Sequence, residues 1–365
     1  MVYRAIGLMS GSSLDGLDIA FVEFQEQGGK WSYGIKQTAC YIYDDEWRQK
    51  LKNAISLTAL DYQLLHTAYG HYIGQRVNGF IEDNQLQYQV ALIASHGHTT
   101  FHVPGKKMTA QLGDGAAIAA QTKLPVVTDL RAMDIAFGGQ GAPIVPVGEK
   151  LLMNGYDYFL NLGGIANISF HAEPYTAFDI CPANRVLNML ANEAGKEFDE
   201  GGQIAAAGIV NPALLEKLNA LEFYRQPAPK SLANDFGTDT VYPLIKTAGI
   251  EIKDALRTYI AHITLQISNA IRTVRNHKPQ TTNQKLLATG GGAMNKLLVE
   301  ELRQQLAVLN IELVIPDANL VGYKEALIMA FIGVLRWRQE YNVLSSVTGA
   351  TRDSIGGALW TGQEA

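Results

Sequence analysis

The chain opens on the pattern that most restricts its fold. An apolar run, Ala5-Ile6-Gly7-Leu8-Met9, enters the segment Ser10-Gly11-Ser12-Ser13-Leu14-Asp15-Gly16 and leaves it through the alternating residues Ile19, Phe21 and Phe24. Two strands joined by so short a glycine- and hydroxyl-rich segment read as a β-hairpin. The tip of that hairpin has chemistry of its own. Gly11 and Gly16 let backbone N–H groups approach an anion closely, and Ser12 and Ser13 add hydroxyl donors. Asp15 would repel a phosphate held there unless a divalent cation lay between the two charges. A tight turn closed by an Asx-type hydrogen bond accounts for the same residues without any ligand.

The pattern recurs in the middle of the chain. Tyr158-Phe159-Leu160-Asn161-Leu162 runs into Gly163-Gly164-Ile165-Ala166-Asn167, and Ile168-Ser169-Phe170 leaves as a strand. A duplicated strand–glycine turn–strand unit would bring two such loops to opposite sides of one nucleotide. The chain's 35 glycines cluster in the same way, at 11–16, 138–141, 163–164, 201–202, 290–292 and 356–357, mostly behind apolar runs. Repeated strand-to-glycine turns of this kind are how α/β enzymes present backbone amides to a ligand.

Between and after these hairpins the periodicity alternates between strand and helix. Residues 31–43 read as a further strand pair, 46–55 and 60–80 as helices, and 90–94 as a buried strand that delivers Ser95-His96-Gly97-His98-Thr99-Thr100-Phe101-His102. Three histidines so close invite a metal, yet no acidic partner lies near them in sequence. Neutral imidazoles that hydrogen-bond a polar ligand fit better, and a metalloprotease would need a helical H-E-x-x-H that is absent. A strand at 124–127 ends in Thr128-Asp129-Leu130-Arg131, which points at a cleft or forms a structural ion pair. The glycines and prolines of 138–146 fit a crossover between domains. Asp179 is the lone carboxylate at the end of an apolar strand, and burial beside a helix N-terminus would hold it as a poised base or an oriented acceptor. The longest helix, 254–275, carries Leu256, Ile260, Ile263, Ile267 and Ile271 on one face. Gly290-Gly291-Gly292 follow a strand at 285–289 and leave room for a flat ring to lie on the backbone. A late apolar helix, 324–337, contains Glu325.

Composition narrows the class. At 365 residues, with 47% hydrophobic and 18% charged residues, the chain suits two soluble domains sharing a cleft. A formal net charge of -5 and the lack of any Lys/Arg block argue against nucleic acid. The two cysteines, Cys40 and Cys181, have no metal-ligand spacing and suggest a reducing compartment. No basic-then-apolar leader opens the chain and no apolar run approaches membrane-spanning length, so the expectation is a cytoplasmic protein with no membrane partner.

Taken together, these segments resemble the anhydro-N-acetylmuramic acid kinases of the actin, hexokinase and sugar-kinase superfamily. The family's G-x-M-S-G-T-S-x-D-G stands here as residues 7–16, with Ser12 for Thr. S-H-G-Q-T-x-x-H stands as 95–102 with His98 for Gln, and D-F-R as Asp129-Leu130-Arg131. G-G-Q-G-A-P-x-V-P at 138–146, N-L-G-G-I-A-N at 161–167 and G-G-G-A-x-N at 290–295 match closely. P-P-K-S stands as 228–231 with Ala228 first, and the late E-A as Glu325-Ala326. The resemblance extends from residue 7 to about 350.

The resemblance implies an α/β fold of two actin-like (ribonuclease H-like) domains around a nucleotide cleft. The first would cover 1–135 with 340–365, and the second 136–339. It implies ATP with Mg²⁺, the phosphates and the metal being held by Gly11, Ser12, Ser13 and Asp15. Gly163, Gly164 and Asn167 would form a second phosphate loop, and Gly290, Gly291, Gly292 and Asn295 would cradle the adenosine. His96, Asp129, Arg131 and Glu325 would line a sugar pocket. Asp179 would be the base that activates water at C1 of the 1,6-anhydro sugar while O6 takes the γ-phosphoryl group. A cytoplasmic homodimer acting on amino sugars from cell-wall recycling is the implied setting. Where the family reads F-D-T-G-P-G-N, this chain has Phe178-Asp179-Ile180-Cys181-Pro182-Ala183-Asn184. That departure leaves a different anhydro or amino sugar open as the acceptor. A nucleotide-switched chaperone of the same fold would instead call for a peptide-binding domain beyond residue 340.

Overall fold

Alternating apolar residues build the first three strands, β1 (Val2–Ser10), β2 (Gly16–Gln27) and β3 (Lys30–Ile42), which pair antiparallel in chain order. β3 is one strand of 13 residues rather than the expected pair. Gly34 simply continues the ladder opposite Glu23. On the other side of β1 runs β4 (Leu92–Val103), parallel to it, followed by β6 (Val126–Thr128) and β12 (Ala358–Trp360). β5 (Met108–Leu112) folds back antiparallel on β4 and was not evident from the pattern.

The second sheet repeats the order with new residues. β7 (Tyr158–Leu162), β8 (Ile165–Phe170) and β9 (Thr176–Pro182) form an antiparallel meander. β10 (Gln284–Thr289) joins the far side of β7 in parallel, and β11 (Ile311–Val314) joins β10. Counting from the meander edge and leaving aside β5, which pairs only with β4, both sheets read third, second, first, fourth and then the next strand in the chain, β6 in the first and β11 in the second, with β12 added at the far edge of the first. This is the ribonuclease H-like order that the resemblance implied, present twice in one α/β chain.

The computed structural model describes residues 1–11, 13–232, 235–275 and 283–362. The chain divides into Met1–Asn154 with Tyr323–Ala365, and Gly155–Gly322. These limits differ from the expected 135 and 340, and packing explains both shifts. Glu149 on helix Pro146–Leu152 forms a buried ion pair with Lys324 at 2.8 Å, and Gly148 lies directly against Ile328. The glycine- and proline-rich 138–146 therefore belongs inside the first unit instead of crossing between units. Tyr323 to Trp337 also packs there, because Gly7 and Gly333 let Ala326, Ala330 and Ala94 approach without a side chain between.

Helix Ala318–Trp337 corrects a second expectation. Its mean hydropathy of 1.4 makes it long and apolar enough to cross a membrane by composition, yet 72% of that window is buried inside the protein. It is a core helix, and Phe331 on it meets Phe24 and Trp31 ring to ring. The first unit's other core joins Ile6, Leu8, Ile19 and Phe21 to Ile73, Val77 and Phe80 of helix Ala59–Asp83. The second unit buries Leu160, Ile168 and Phe178 against helix Ile252–Arg275, whose Leu256, Ile260, Ile263, Ile267 and Ile271 are all fully buried as their spacing predicted. Each such side chain contributes about 1.5–3 kcal/mol.

Candidate active site

In the first unit, β1 and β2 stay paired out to Ser10 and Leu17, which leaves 11–16 as the turn. Ser13 donates its hydroxyl to Asp15 Oδ1 at 2.6 Å, the Gly16 N–H reaches the same oxygen at 3.2 Å, and Tyr43 N–H donates to the Asp15 carbonyl at 3.2 Å. The turn thus holds its own carboxylate and presents it to solvent. Ser12 lies outside the described residues. Three positions along β2, Asp18 sits opposite Cys40 of β3. Burial pushes its carboxyl up to about 6, a hydrogen bond with Cys40 opposes that, and Asp15 and Glu325 add repulsion.

The histidines lie within β4, not beyond it. His96 Nδ1 donates to the Gly97 carbonyl at 2.9 Å, because its Nε2 accepts from Arg131 Nε at 2.8 Å. Burial and the adjacent guanidinium hold His96 down to about 3. His98 Nδ1 is 3.1 Å from Ser10 Oγ, which accepts from Tyr43 OH at 2.8 Å, and burial lowers His98 to about 4. His102 turns to Thr109 Oγ1 at 3.1 Å. These are neutral imidazoles with separate partners. Among the described residues no three His, Cys, Asp or Glu side chains are grouped to hold a metal.

Arg131 gives one guanidinium N–H to His96 and another to the Gly141 carbonyl. Neither goes to Asp129, so the two do not form the structural ion pair that was one expectation. Asp129 has a left-handed backbone (φ 55°) and is exposed, with Oδ2 accepting from Thr128 Oγ1 at 2.8 Å. Fully buried Asp134 shapes the glycine loop that follows, taking the Gly141 N–H at 2.7 Å and the Thr348 hydroxyl at 2.6 Å. Glu325 follows the break at Tyr323. Burial pushes its carboxyl up, Lys324 and Arg131 draw it back, and Glu149 repels it. Arg131 thus links His96, through a hydrogen bond, to Glu325, through charge.

In the second unit, four polar residues share one register. Thr289 pairs with Asn161, Asn161 with Asn167, and Asn167 with Asp179, across β10, β7, β8 and β9. Partners in a ladder project to the same face, and the alternate residues Leu160, Ile168, Phe178 and Ala288 fill the core on the opposite face. Asp179 lies mid-strand. Its grip comes from a distant segment rather than from a helix N-terminus: its N–H donates to the Lys230 carbonyl and its Oδ2 accepts from Leu232 N–H, both at 2.9 Å. Lys230 is anchored in turn by the Phe223 carbonyl at 2.8 Å. Burial raises the Asp179 carboxyl above the usual range, and the Leu232 N–H opposes the rise.

The replaced residues beside Asp179 point elsewhere. The ladder slips between Ala166 and Asn167, so Ile180 is the extra residue of a bulge, and Ile180, Cys181 and Ala183 are all buried in the core. They leave the polar face of Asp179 unaltered.

At the second turn, a Cβ on Gly163 or Gly164 would meet nothing closer than 3.5 Å, and neither backbone is left-handed. The fold itself does not require glycine there. A ligand lying on the backbone would. Gly291 is similarly open, whereas Gly290 (φ 85°) and Gly292 are forced by Asn161 and Leu162. Asn184, missed in the sequence, ties these turns together by donating to the Leu162 carbonyl at 2.9 Å while its side chain borders Gly291 and Gly292. Asn295 caps helix Lys296–Ala307 by accepting from Leu298 N–H at 3.1 Å.

The family model described as anhydro-N-acetylmuramic acid kinase matches residues 3–362. The chain belongs to the anhydro-N-acetylmuramic acid kinase family. A relative of that name from Photobacterium profundum is 31% identical over 98% of this chain and 99% of its own length. Another, from Hydrogenovibrio crunogenus, is 33% identical over 97% of each. Among solved structures, an activator of 2-hydroxyisocaproyl-CoA dehydratase from Clostridium difficile with bound ADPNP aligns over 92% of this chain and 97% of its own, at 12% identity and a TM-score of 0.41.

Proposed function

We propose that this chain is an ATP-dependent kinase that opens 1,6-anhydro-N-acetylmuramic acid with water and phosphorylates O6, the family's step in cell-wall recycling in the cytoplasm. The observation that carries this reading is Asp179: a half-buried carboxylate on the polar row of the second sheet, fixed by Leu232 N–H, with a raised proton affinity. Water gives its proton to Asp179 as its oxygen bonds to C1. The C1–O6 bond breaks, and O6 takes the γ-phosphoryl group as its bond to the β-phosphate oxygen breaks and ADP leaves. A more basic carboxylate is a better acceptor for that proton. Arg131 and Glu325 orient the polar sugar, and neutral His96 fixes Arg131 while adding no charge.

ATP suits the open turns at Gly163, Gly164 and Gly291, which offer bare backbone to phosphates and a planar base. Mg²⁺ suits Asp15, a single exposed carboxylate, since this ion keeps several waters and uses one or two carboxylates together with phosphate oxygens. When bound, it neutralises phosphate charge. Because Ile180, Cys181 and Ala183 face the core, the family's own sugar is favoured over another acceptor.

Asp179→Asn tests the reading, since the amide keeps an oxygen for Leu232. Turnover with the anhydro sugar should fall by about 10³-fold or more while ATP affinity stays within about twofold. Lost nucleotide binding would make Asp179 a metal or structural residue, and wild-type ADP release only with other amino sugars would move the acceptor.

A further inference from the structure

Helix Asn184–Glu193 abuts the second glycine turn, but its first N–H groups are already occupied. Ala183 N–H donates to the Gly164 carbonyl at 2.8 Å, Asn184 N–H to the Gly163 carbonyl at 3.0 Å, and Arg185 N–H to Gly164 again at 3.4 Å. The helix end therefore closes the turn rather than offering its own donors to an anion. What remains positive at this corner is a side chain. Across 161–167 and 183–189, Arg185 is the single ionisable residue. Its stem runs along the turn, with Cβ 3.9 Å and Nε 4.0 Å from where a Gly164 Cβ would stand.

We propose that the Arg185 guanidinium binds the terminal phosphates of ATP over the Gly163–Gly164 turn and stabilises the charge that develops as the phosphoryl group leaves. This rests on the assignment of that turn to phosphate in the proposed function. The chemistry fits on three counts. A transferring phosphoryl group spreads charge over its equatorial oxygens, which cations stabilise. A planar guanidinium meets two phosphate oxygens at once, as an ammonium cannot. The turn itself is neutral and free of side chains, so a phosphate on its backbone lies within reach of Arg185. The other glycine turn carries Asp15 and so cannot supply this charge directly.

The test compares wild type, Arg185→Gln, Arg185→Lys and Gly164→Val in kinetics and in competition binding of ATP, ADP, AMP and adenosine, with melting temperature as the check on folding. Arg185→Gln should lower kcat by about 10²-fold and ATP affinity by about tenfold, leave AMP and adenosine within twofold, and flatten the salt dependence of ATP binding. Arg185→Lys should recover part of both losses. ATP affinity and kcat within twofold of wild type in Arg185→Gln would overturn the proposal, as would equal losses for ATP and adenosine, which mark a structural role. Gly164→Val separates the two levels. If it binds ATP normally, the turn is not a phosphate site and the underlying reading fails. If it loses ATP while Arg185→Gln keeps it, only the role of Arg185 fails.

Discussion

The two glycine hairpins occupy the same place in the same strand order, one between β1 and β2 and the other between β7 and β8, yet their side chains make them electrical opposites. The first closes on itself. Ser13 and the Gly16 N–H satisfy Asp15, and the result is an exposed negative tip with Asp18 and Glu325 behind it. The second is empty of side chains, has its carbonyls taken by helix Asn184–Glu193, and has Arg185 alongside. The backbone is repeated, and the residues on and beside each turn give the two corners opposite charge.

The glycines make the sharpest test of this contrast. In the first hairpin, a Cβ on Gly16 would strike Cys40 Sγ at 2.6 Å and the Tyr41 carbonyl at 2.9 Å, so the neighbouring strand demands glycine. In the second, Gly163 has only ordinary contacts at 3.5 Å. Gly163→Val should therefore melt within a few degrees of wild type and lose about 100-fold or more in ATP affinity. Gly16→Val should lose about 3 kcal/mol of stability or fail to fold, as overpacking against backbone does. A Gly163→Val protein that binds ATP normally would erase the distinction.

A smaller effect follows from charge. Asp15→Asn removes the negative tip and keeps the Ser13 hydrogen bond. Turnover at saturating ATP should fall by about 10–100-fold and the Mg²⁺ concentration for half activity should rise, because a carboxylate that shares a cation with phosphate has been lost. ADP affinity measured with EDTA should stay the same or improve, since one repulsion is gone. A metal requirement unchanged from wild type would assign Asp15 to turn geometry alone.

The repeat was legible because its cues are local: alternation, a glycine turn and a return strand within about twenty residues. The face of helix Ile252–Arg275 was equally plain. What escaped depends on chain segments that meet only after folding. Residues 31–43 read as a strand pair, but with β2 alongside they form one continuous strand. The unit boundaries moved because Glu149 finds Lys324, 175 residues away. Asp179 was identifiable as an isolated carboxylate, but its support comes from Leu232, 53 residues on, and no local pattern announces that. The Ile180–Cys181 departure looked consequential in one dimension. In the fold, a bulge at Ile180 and the packing of both side chains into the core keep the change off the polar face of Asp179.

The smallest effect lies behind the negative tip, at Asp18. Its carboxyl titrates near 6 in the folded chain against about 3.9 when free. A raised acidic pKa means that the native state holds its proton longer than the unfolded chain does. Stability from this group is thus fully present below about pH 4 and is lost as the pH rises to about 6. The gap corresponds to about 3 kcal/mol at full effect, and partial exposure reduces this to about 1–2 kcal/mol. Asp18→Asn removes the ionisation and should raise the melting temperature by a few degrees at pH 8, with little change at pH 4.5. Because Asp15 contributes to the same repulsion, the gain should shrink in an Asp15→Asn background. The turn at Gly163 and Gly164 carries no carboxylate, and Asn161→Asp, which adds a second carboxylate to the row that already holds Asp179, should destabilise at pH 8 and not at pH 4.5. Melting curves of the two variants at both pH values would then differ in sign, and curves of the same sign would mean that the two corners do not differ in charge as described.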